Sequence, residues 1–217
     1  LPAEIQIPKM IEICKKYNVL MKAHNTDYLS NEEISSLYKK ALIYVFPSIE
    51  EGFGIPILEA FAMKIPVVPR GSGTGLSGGA MPISQGLVLS LAKLKKILSI
   101  DPFTRTAVVQ PGVRNLAISE AVSHLGLYYA PDPSSQIACS IGGNVNENSG
   151  GVHCLKYGLT LHNVLRVRGI LMNGEIVEFG SLAPDAPGLD LLAIVMGSEG
   201  MLAVVTEVTV KLVAKPR

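Results

Sequence analysis

The chain has 217 residues, 48% hydrophobic and 17% charged, with 19 basic against 18 acidic side chains for a formal net charge of +1. That balance excludes a disordered chain and a polybasic nucleic-acid coat, and predicts an ordered protein able to bury a core in one or two domains. No apolar run reaches the ~18 residues of a membrane span, and the first residues lack a secretory signal order.

The expectation is therefore a soluble, cytoplasmic protein with no nucleic-acid partner and no membrane span. Three cysteines, Cys14, Cys139 and Cys154, are irregularly spaced and form no C-x-x-C pair, which fits a reducing compartment. Cys139, His153 and Cys154 lack a fourth ligand and a zinc-like spacing, so no metal is predicted. A start at Leu1 and an end in "KLVAKPR", a strand running into a linker, read as a fragment of a longer protein.

Along the chain, Ile7, Met10, Ile11, Cys14 and Tyr17 fall on one face of an amphipathic helix. Ser30 and Glu33 form a capping box ahead of Ile34, Leu37, Tyr38 and Ala41, which predicts a second helix. "LIYVF" reads as a buried strand, "EEGFG" as a loop, "IPILEAFAM" as a short helix with Pro56 in its first turn, and "IPVV" as a strand. Then come glycines at 71, 73, 75, 78 and 79.

Beyond them, "LVLSL", "AVVQPG", "LYYAPDP", "VLRVRGILMNGEIVEFG" and "LAVVTEVTVKLV" are strand-like, and Asn173-Gly174 predicts a hairpin turn. "RNLAISEAVSHLG" predicts a helix ending at Gly126, with Leu116, Ala117, Val122 and Leu125 available for burial. "IGGNVNENSGG" and "GSEG" read as two further glycine-bearing loops.

Gly73, Gly75 and Gly78 spell G-x-G-x-x-G, but a dinucleotide fingerprint needs a helix starting inside the motif and an acidic residue closing a second strand. Here Pro82 and further glycines block the helix, and Asp101 follows "LKKILSI" rather than closing a strand. Walker A also fails, because no Lys-Ser/Thr pair follows. What remains is a loop whose backbone amides can approach a diphosphate, with Ser72 and Thr74 as added donors, or else a glycine turn without a ligand.

Taken together, "PVVPRGSGTGLSGGA", "VQPGV", "YYAPDPSSQIACSIGGNVNENSGGVHCLKYG" and "GSEGMLAVVTEVTVKL" resemble the FAD-binding domain of the vanillyl-alcohol-oxidase-like flavoproteins. The nearest branch holds glycolate oxidase D subunits and D-2-hydroxy-acid dehydrogenases. The resemblance covers residues 66–217 and includes the helix at 1–19. It implies an α+β fold in which two small α/β subdomains surround the cofactor.

The resemblance also implies site residues. Arg70, Gly71, Ser72, Gly73, Thr74 and Gly75 match the loop around the FAD pyrophosphate. Cys139, Ser140, Gly142, Gly143 and Asn144 match the stretch along flavin and diphosphate. Pro131, Asp132 and Ser134 match the isoalloxazine side, and Gly197, Glu199, Gly200 and Val205 the adenine end. Thr74 stands where some relatives carry a histidine bonded to FAD, so non-covalent FAD is implied. The implied reaction is oxidation of a small 2-hydroxy acid, with the base and substrate anchors in a cap domain or partner subunit outside this chain. No catalytic residue is assigned: His124, His153 and His162 read as a solvated helix end, a loop residue and a residue preceding a strand.

Residues 20–65 depart from this pattern. "YLSNEEISSLYKKALIYVFPSIEEGFGIPILEAFAMKIPVV" is similar to the donor-binding half of retaining glycosyltransferases built from two Rossmann-like domains. The E-x7-E pair of that family falls on Glu51 and Glu59, implying nucleotide-sugar contacts; outside that context the two are solvated carboxylates. The whole therefore reads as a chimera: a discontinuous FAD-binding domain at 1–19 and 66–217, carrying an α-β-α-β Rossmann-like insert at 20–65. The alternatives are a nucleotide-sugar-binding fragment and a folded chimera without activity.

Overall fold

The computed structural model of the chain describes residues 30, 32, 43–45, 64–84, 86–183 and 188–216. The helix expected at 7–17, the one at 55–63, Glu51 and Glu59 lie outside them. Of the capping-box helix, Ser30 and Glu32 are described, Glu32 with helical backbone.

Two sheets organise the described residues. The smaller is parallel: β1 (Ile43–Val45), β2 (Val67–Arg70) and β3 (Gly86–Ser90) in the order β1-β3-β2. Ile43 faces Gly86 and Val67 faces Leu87. Pro69 has no N–H to give to a ladder, and β2 carries it at an edge of this sheet. The larger sheet is antiparallel, formed by β4 (Ile97–Asp101), β5 (Thr106–Val109), β7 (Val164–Ile170), β8 (Ile176–Gly180) and β9 (Val204–Lys211) in the order β4-β5-β9-β7-β8. A two-residue pairing joins β6 (Leu127–Tyr128) to β10 (Val213–Ala214). The helices bounded within the described residues are α1 (Asn115–Val122), α2 (Ile141–Glu147), α3 (Cys154–Tyr157) and α4 (Leu191–Val195).

The core lies where α1, α2 and α4 meet the large sheet. Val109, Ile118, Val122, Ile141, Val145, Val167, Val205, Val208 and Val210 are all fully enclosed there, each side chain contributing roughly 1.5–3 kcal/mol on burial. A second cluster, Leu89 on β3 and Leu91 just after it with Ile170 and Val204, fastens the small sheet to the large one. The described residues thus mix helices and sheets in a way consistent with the expected α+β fold.

Several expectations need correction. Asp101 does end a strand, β4, missed because "ILSID" shows no clean alternation and exposes Leu98 and Ser99. Its carboxylate serves the β4–β5 hairpin, with Oδ1 accepting from the Phe103 and Thr104 amides at 2.8 and 3.3 Å. "IGGNVNE" is helical rather than a loop. The buried face of α1 is Asn115, Ile118 and Val122, with Leu125 exposed in a following 3-10 turn that Gly126 closes at φ 68. The β7–β8 hairpin turns at Asn173-Gly174 as expected, but only Gly174 takes a positive φ, 84. Asn173 instead uses its side-chain oxygen to accept from the Glu175 amide at 3.0 Å.

Candidate functional site

β2 delivers the chain into the glycine loop. The Arg70 carbonyl accepts from the Leu91 amide at 2.9 Å, so the loop departs from a strand end that is held in place. Gly73 and Gly78 take φ values of 71 and 84, conformations that cost a side-chain-bearing residue strain. The Arg70 guanidinium folds back over the loop: a Cβ on Gly73 would stand 2.7 Å from Nη2, and Nη1 donates to the Ala80 carbonyl at 3.4 Å. No helix follows; the next element is β3, as the rejection of the dinucleotide fingerprint requires.

The opposite wall is α2 and the turn before it. Glycines in a first helical turn are poor helix formers, and tertiary bonds compensate. The Ile141 and Gly142 amides, unpaired in an isolated helix, donate to the carbonyls of Val113 and Pro111 at 2.8 and 2.9 Å. A Cβ on Gly142 would come 2.6 Å from Pro111 Cβ, so this close approach needs glycine. A third segment closes one side: the amides of Gly197 and Glu199 donate to the carbonyls of Val145 and Asn146 at 2.9 and 2.8 Å. Glu199 holds a left-handed φ of 55 to do so.

Between these walls runs an open cleft of about 340 Å³. It brings together Gly71, Ser72, Gly73, Thr74 and Gly75 from the loop with Cys139, Ser140, Gly142, Gly143 and Asn144 from the facing wall, and Glu199 at the side. Two polar atoms there are buried and unpartnered, Ser140 Oγ and Asn144 Nδ2. A buried donor without an acceptor costs about 1–3 kcal/mol, and both sit where a ligand rich in acceptor oxygens would satisfy them. Loop, orphaned donors and Arg70 suit a diphosphate-bearing cofactor.

The other expected residues lie outside the cleft lining. Arg70 folds over the loop without lining the cleft, and Gly200 (φ 77) packs against Pro69. Gly197 (φ 79) carries the side segment, and Val205 is buried in the core on β9. Pro131 is buried, Ser134 exposed and Asp132 half-buried. Sequence reasoning missed Ser77, Asn146, Glu147 and Ser149, all of which line the cleft. The polar run "NENS" between glycines was the available signal.

Asp132 anchors a second cluster. Its Oδ1 accepts from the His153 amide at 3.0 Å, and its Oδ2 lies 3.3 Å from His153 Nδ1, which also meets the Ala130 carbonyl at 3.1 Å. The rings of Tyr128, His153 and Tyr157 stand edge-to-face at 6.2–6.4 Å, with Lys156 Nζ 5.0 Å above Tyr157. Burial, then the hydrogen bond to Tyr157, pushes the Tyr128 hydroxyl up to about 12. The bonds from Tyr128 and then Lys156 lower Tyr157. His124 is an exposed 3-10 residue, and His162 Nδ1 accepts from the Leu159 amide at 3.1 Å. Among the described residues, no group of three or more His, Cys, Asp and Glu could hold a metal, and no helix is long and apolar enough to cross a membrane.

Comparison with known proteins agrees with this geometry. The FAD binding domain family matches residues 43–180, and glycosyl transferases group 1 matches residues 8–75. The glycolate oxidase subunit GlcD of Escherichia coli K12 is 57% identical over 183 residues, 84% of this chain and 37% of the relative. That of Bacillus subtilis is 51% identical over 154 residues, 70% of this chain and 33% of the relative. A D-lactate dehydrogenase of Anaerostipes hadrus is 35% identical over 214 residues, 97% of this chain and 44% of the relative. The chain thus spans less than half the length of these relatives. Among solved structures, an alkyldihydroxyacetonephosphate synthase shares the fold at TM-score 0.67 and 24% identity, covering 74% of this chain and 29% of that one.

Proposed function

The chain belongs to the FAD binding domain family, and from that premise we propose that it is the cofactor-holding part of an oxidoreductase acting on a 2-hydroxy acid of the glycolate or D-lactate type. The observation that carries this reading is the pair of buried, unpartnered donors, Ser140 Oγ and Asn144 Nδ2, facing the glycine loop. In it, the amides of residues 71–75 and the Arg70 charge receive the diphosphate while Ser140 and Asn144 donate along the cofactor. Pro131, Asp132 and Ser134 border the flavin end; Gly197, Glu199 and Gly200 shape the adenine end, with Val205 supporting them from the core. Thr74 offers no imidazole for flavin attachment, which supports non-covalent FAD.

When bound, FAD supplies the hydride acceptor for oxidation of the hydroxyl-bearing carbon. This chain's residues bind and orient the cofactor. The proton-accepting base and the substrate anchors come, in this reading, from a cap domain or partner subunit outside the chain. The free thiols of Cys139 and Cys154 support a cytoplasmic setting.

The glycosyl transferase match favours a Rossmann-like origin for residues 20–65, with 1–19 and 66–217 forming the flavoprotein part. β1 pairs in parallel with β3, and the FAD binding domain match begins at 43. Both support a segment that contributes a strand to the flavoprotein's own small sheet. A nucleotide-sugar site at Glu51 and Glu59 is the second reading, favoured by that same match.

The test is direct. The purified chain should carry, or be reconstituted to show, a flavin absorbance spectrum released on denaturation. Colourless protein that cannot be loaded with FAD defeats the proposal, and UDP-sugar titration then examines the second reading.

A further inference from the structure

A side-chain hydrogen bond joins the two walls of the cleft. Ser77 Oγ, in the glycine loop, donates a 2.7 Å hydrogen bond to Glu147 Oε2, on the last residue of α2. Glu147 Oε1 lies 3.2 Å from where a Cβ on Gly75 would stand, and both Ser77 and Glu147 line the cleft. The carboxylate is electrostatically misplaced in two ways. An acidic group in a last helical turn meets the negative end of the dipole, and the cleft it borders suits an anionic diphosphate. Packing does not demand it either, since Glu147 is exposed.

What the carboxylate achieves is the bridge. Residues 72–79 are exposed throughout and include two left-handed glycines, so ordering this loop costs much backbone entropy. A charge-assisted bond to the facing helix meets part of that cost before any ligand arrives.

We propose that Ser77 and Glu147 form a clasp that holds the glycine loop in its ligand-ready shape, which makes Glu147 a positioning residue rather than a cofactor ligand. The clasp itself stands on the observed contact; the identity of the ligand rests on the FAD reading above. Bridging requires an acceptor but not a charge. A glutamine keeps the bridge and removes the repulsion of a diphosphate, whereas an alanine removes the bridge.

The test uses the full chain and two readouts: hydrogen exchange of the amides of residues 71–80 without cofactor, and FAD affinity by fluorescence titration. Glu147→Ala and Ser77→Ala should each speed loop exchange and weaken FAD by about fivefold, the scale of one exposed hydrogen bond. The double variant should lose no more than either single one. Glu147→Gln should keep the parent chain's loop exchange and bind FAD at least as tightly as the parent chain. Additive losses in the double variant, or unchanged exchange in both alanine variants, overturn the clasp. So does equal FAD loss in Glu147→Gln and Glu147→Ala, the signature of a direct ligand. If the parent chain takes up no FAD, the cofactor assignment falls and exchange alone decides the clasp.

Discussion

Gly71 and Ser140 meet so closely across the cleft that a Cβ on Gly71 would collide with the Ser140 hydroxyl. The same hydroxyl is buried and unpartnered. One atom thus limits the size of one wall and waits for a ligand from the other.

Opposite effects on stability and binding follow for Ser140→Ala. The cofactor-free chain loses no hydrogen bond and sheds a desolvated hydroxyl, so urea unfolding should show unchanged or slightly higher stability. FAD affinity should fall by about tenfold. Gly71→Val should abolish FAD retention through collision at the same atom.

Two glycines separate strain from collision. Gly126 has a φ of 68 and open space around its missing Cβ, so Gly126→Ala should cost about 1 kcal/mol and Gly126→Asn less. A Cβ on Gly151 would run into the Asp132 backbone carbonyl. Gly151→Ala should therefore cost about 3 kcal/mol in denaturant unfolding, and the NMR signal of His153, which Asp132 holds, should move with it.

Tyr128 and Tyr157 should titrate apart in an alkaline absorbance titration. Tyr128, pushed up to about 12, releases its proton more readily when unfolded, so its contribution is full below pH 10 and lost as pH rises through about 12. Tyr157, lowered, favours its anion in the fold, and its contribution is full above 10 and lost as pH falls through its folded value. Tyr128→Phe should return Tyr157 upward, because the Tyr128 bond is the larger cause of its shift.

At the β4–β5 turn, the Thr104 side chain, then the Phe103 and Thr104 amides, hold the Asp101 carboxyl below its ordinary value. Its stabilisation should be complete above pH 3.8 and disappear as pH falls through the lowered folded value. A carboxyl-carbon NMR titration measures this directly, and Thr104→Val should raise the midpoint.

Where local chemistry decides structure, the sequence is readable. β5, β7 and β9 follow from β-branched runs, the β7–β8 turn from Asn173-Gly174, and the ligand loop from glycines that adopt positive φ. It is not readable where distant residues decide. α2 tolerates Gly142 and Gly143 in its first turn because Val113 and Pro111 accept the amides of Ile141 and Gly142. Ile118 is enclosed because its face of α1 packs into the main core. Glu147 enters the cleft only because α2 ends beside a loop seventy positions earlier. The residues drawn from motif resemblance fall largely on the two facing walls, whereas the Val205 side chain is buried in the core on β9.

The pairing of β1 and β2 on either side of β3 also bears on how such a chain could arise. Two unrelated families match across 43–75, and in that stretch the chain runs from one parallel strand to another and then into the glycine turn. Parallel strands in one sheet all point the same way, so any donor of such a unit hands its turn to the same end of the sheet. A unit of either ancestry would therefore leave the glycine loop pointing the same way.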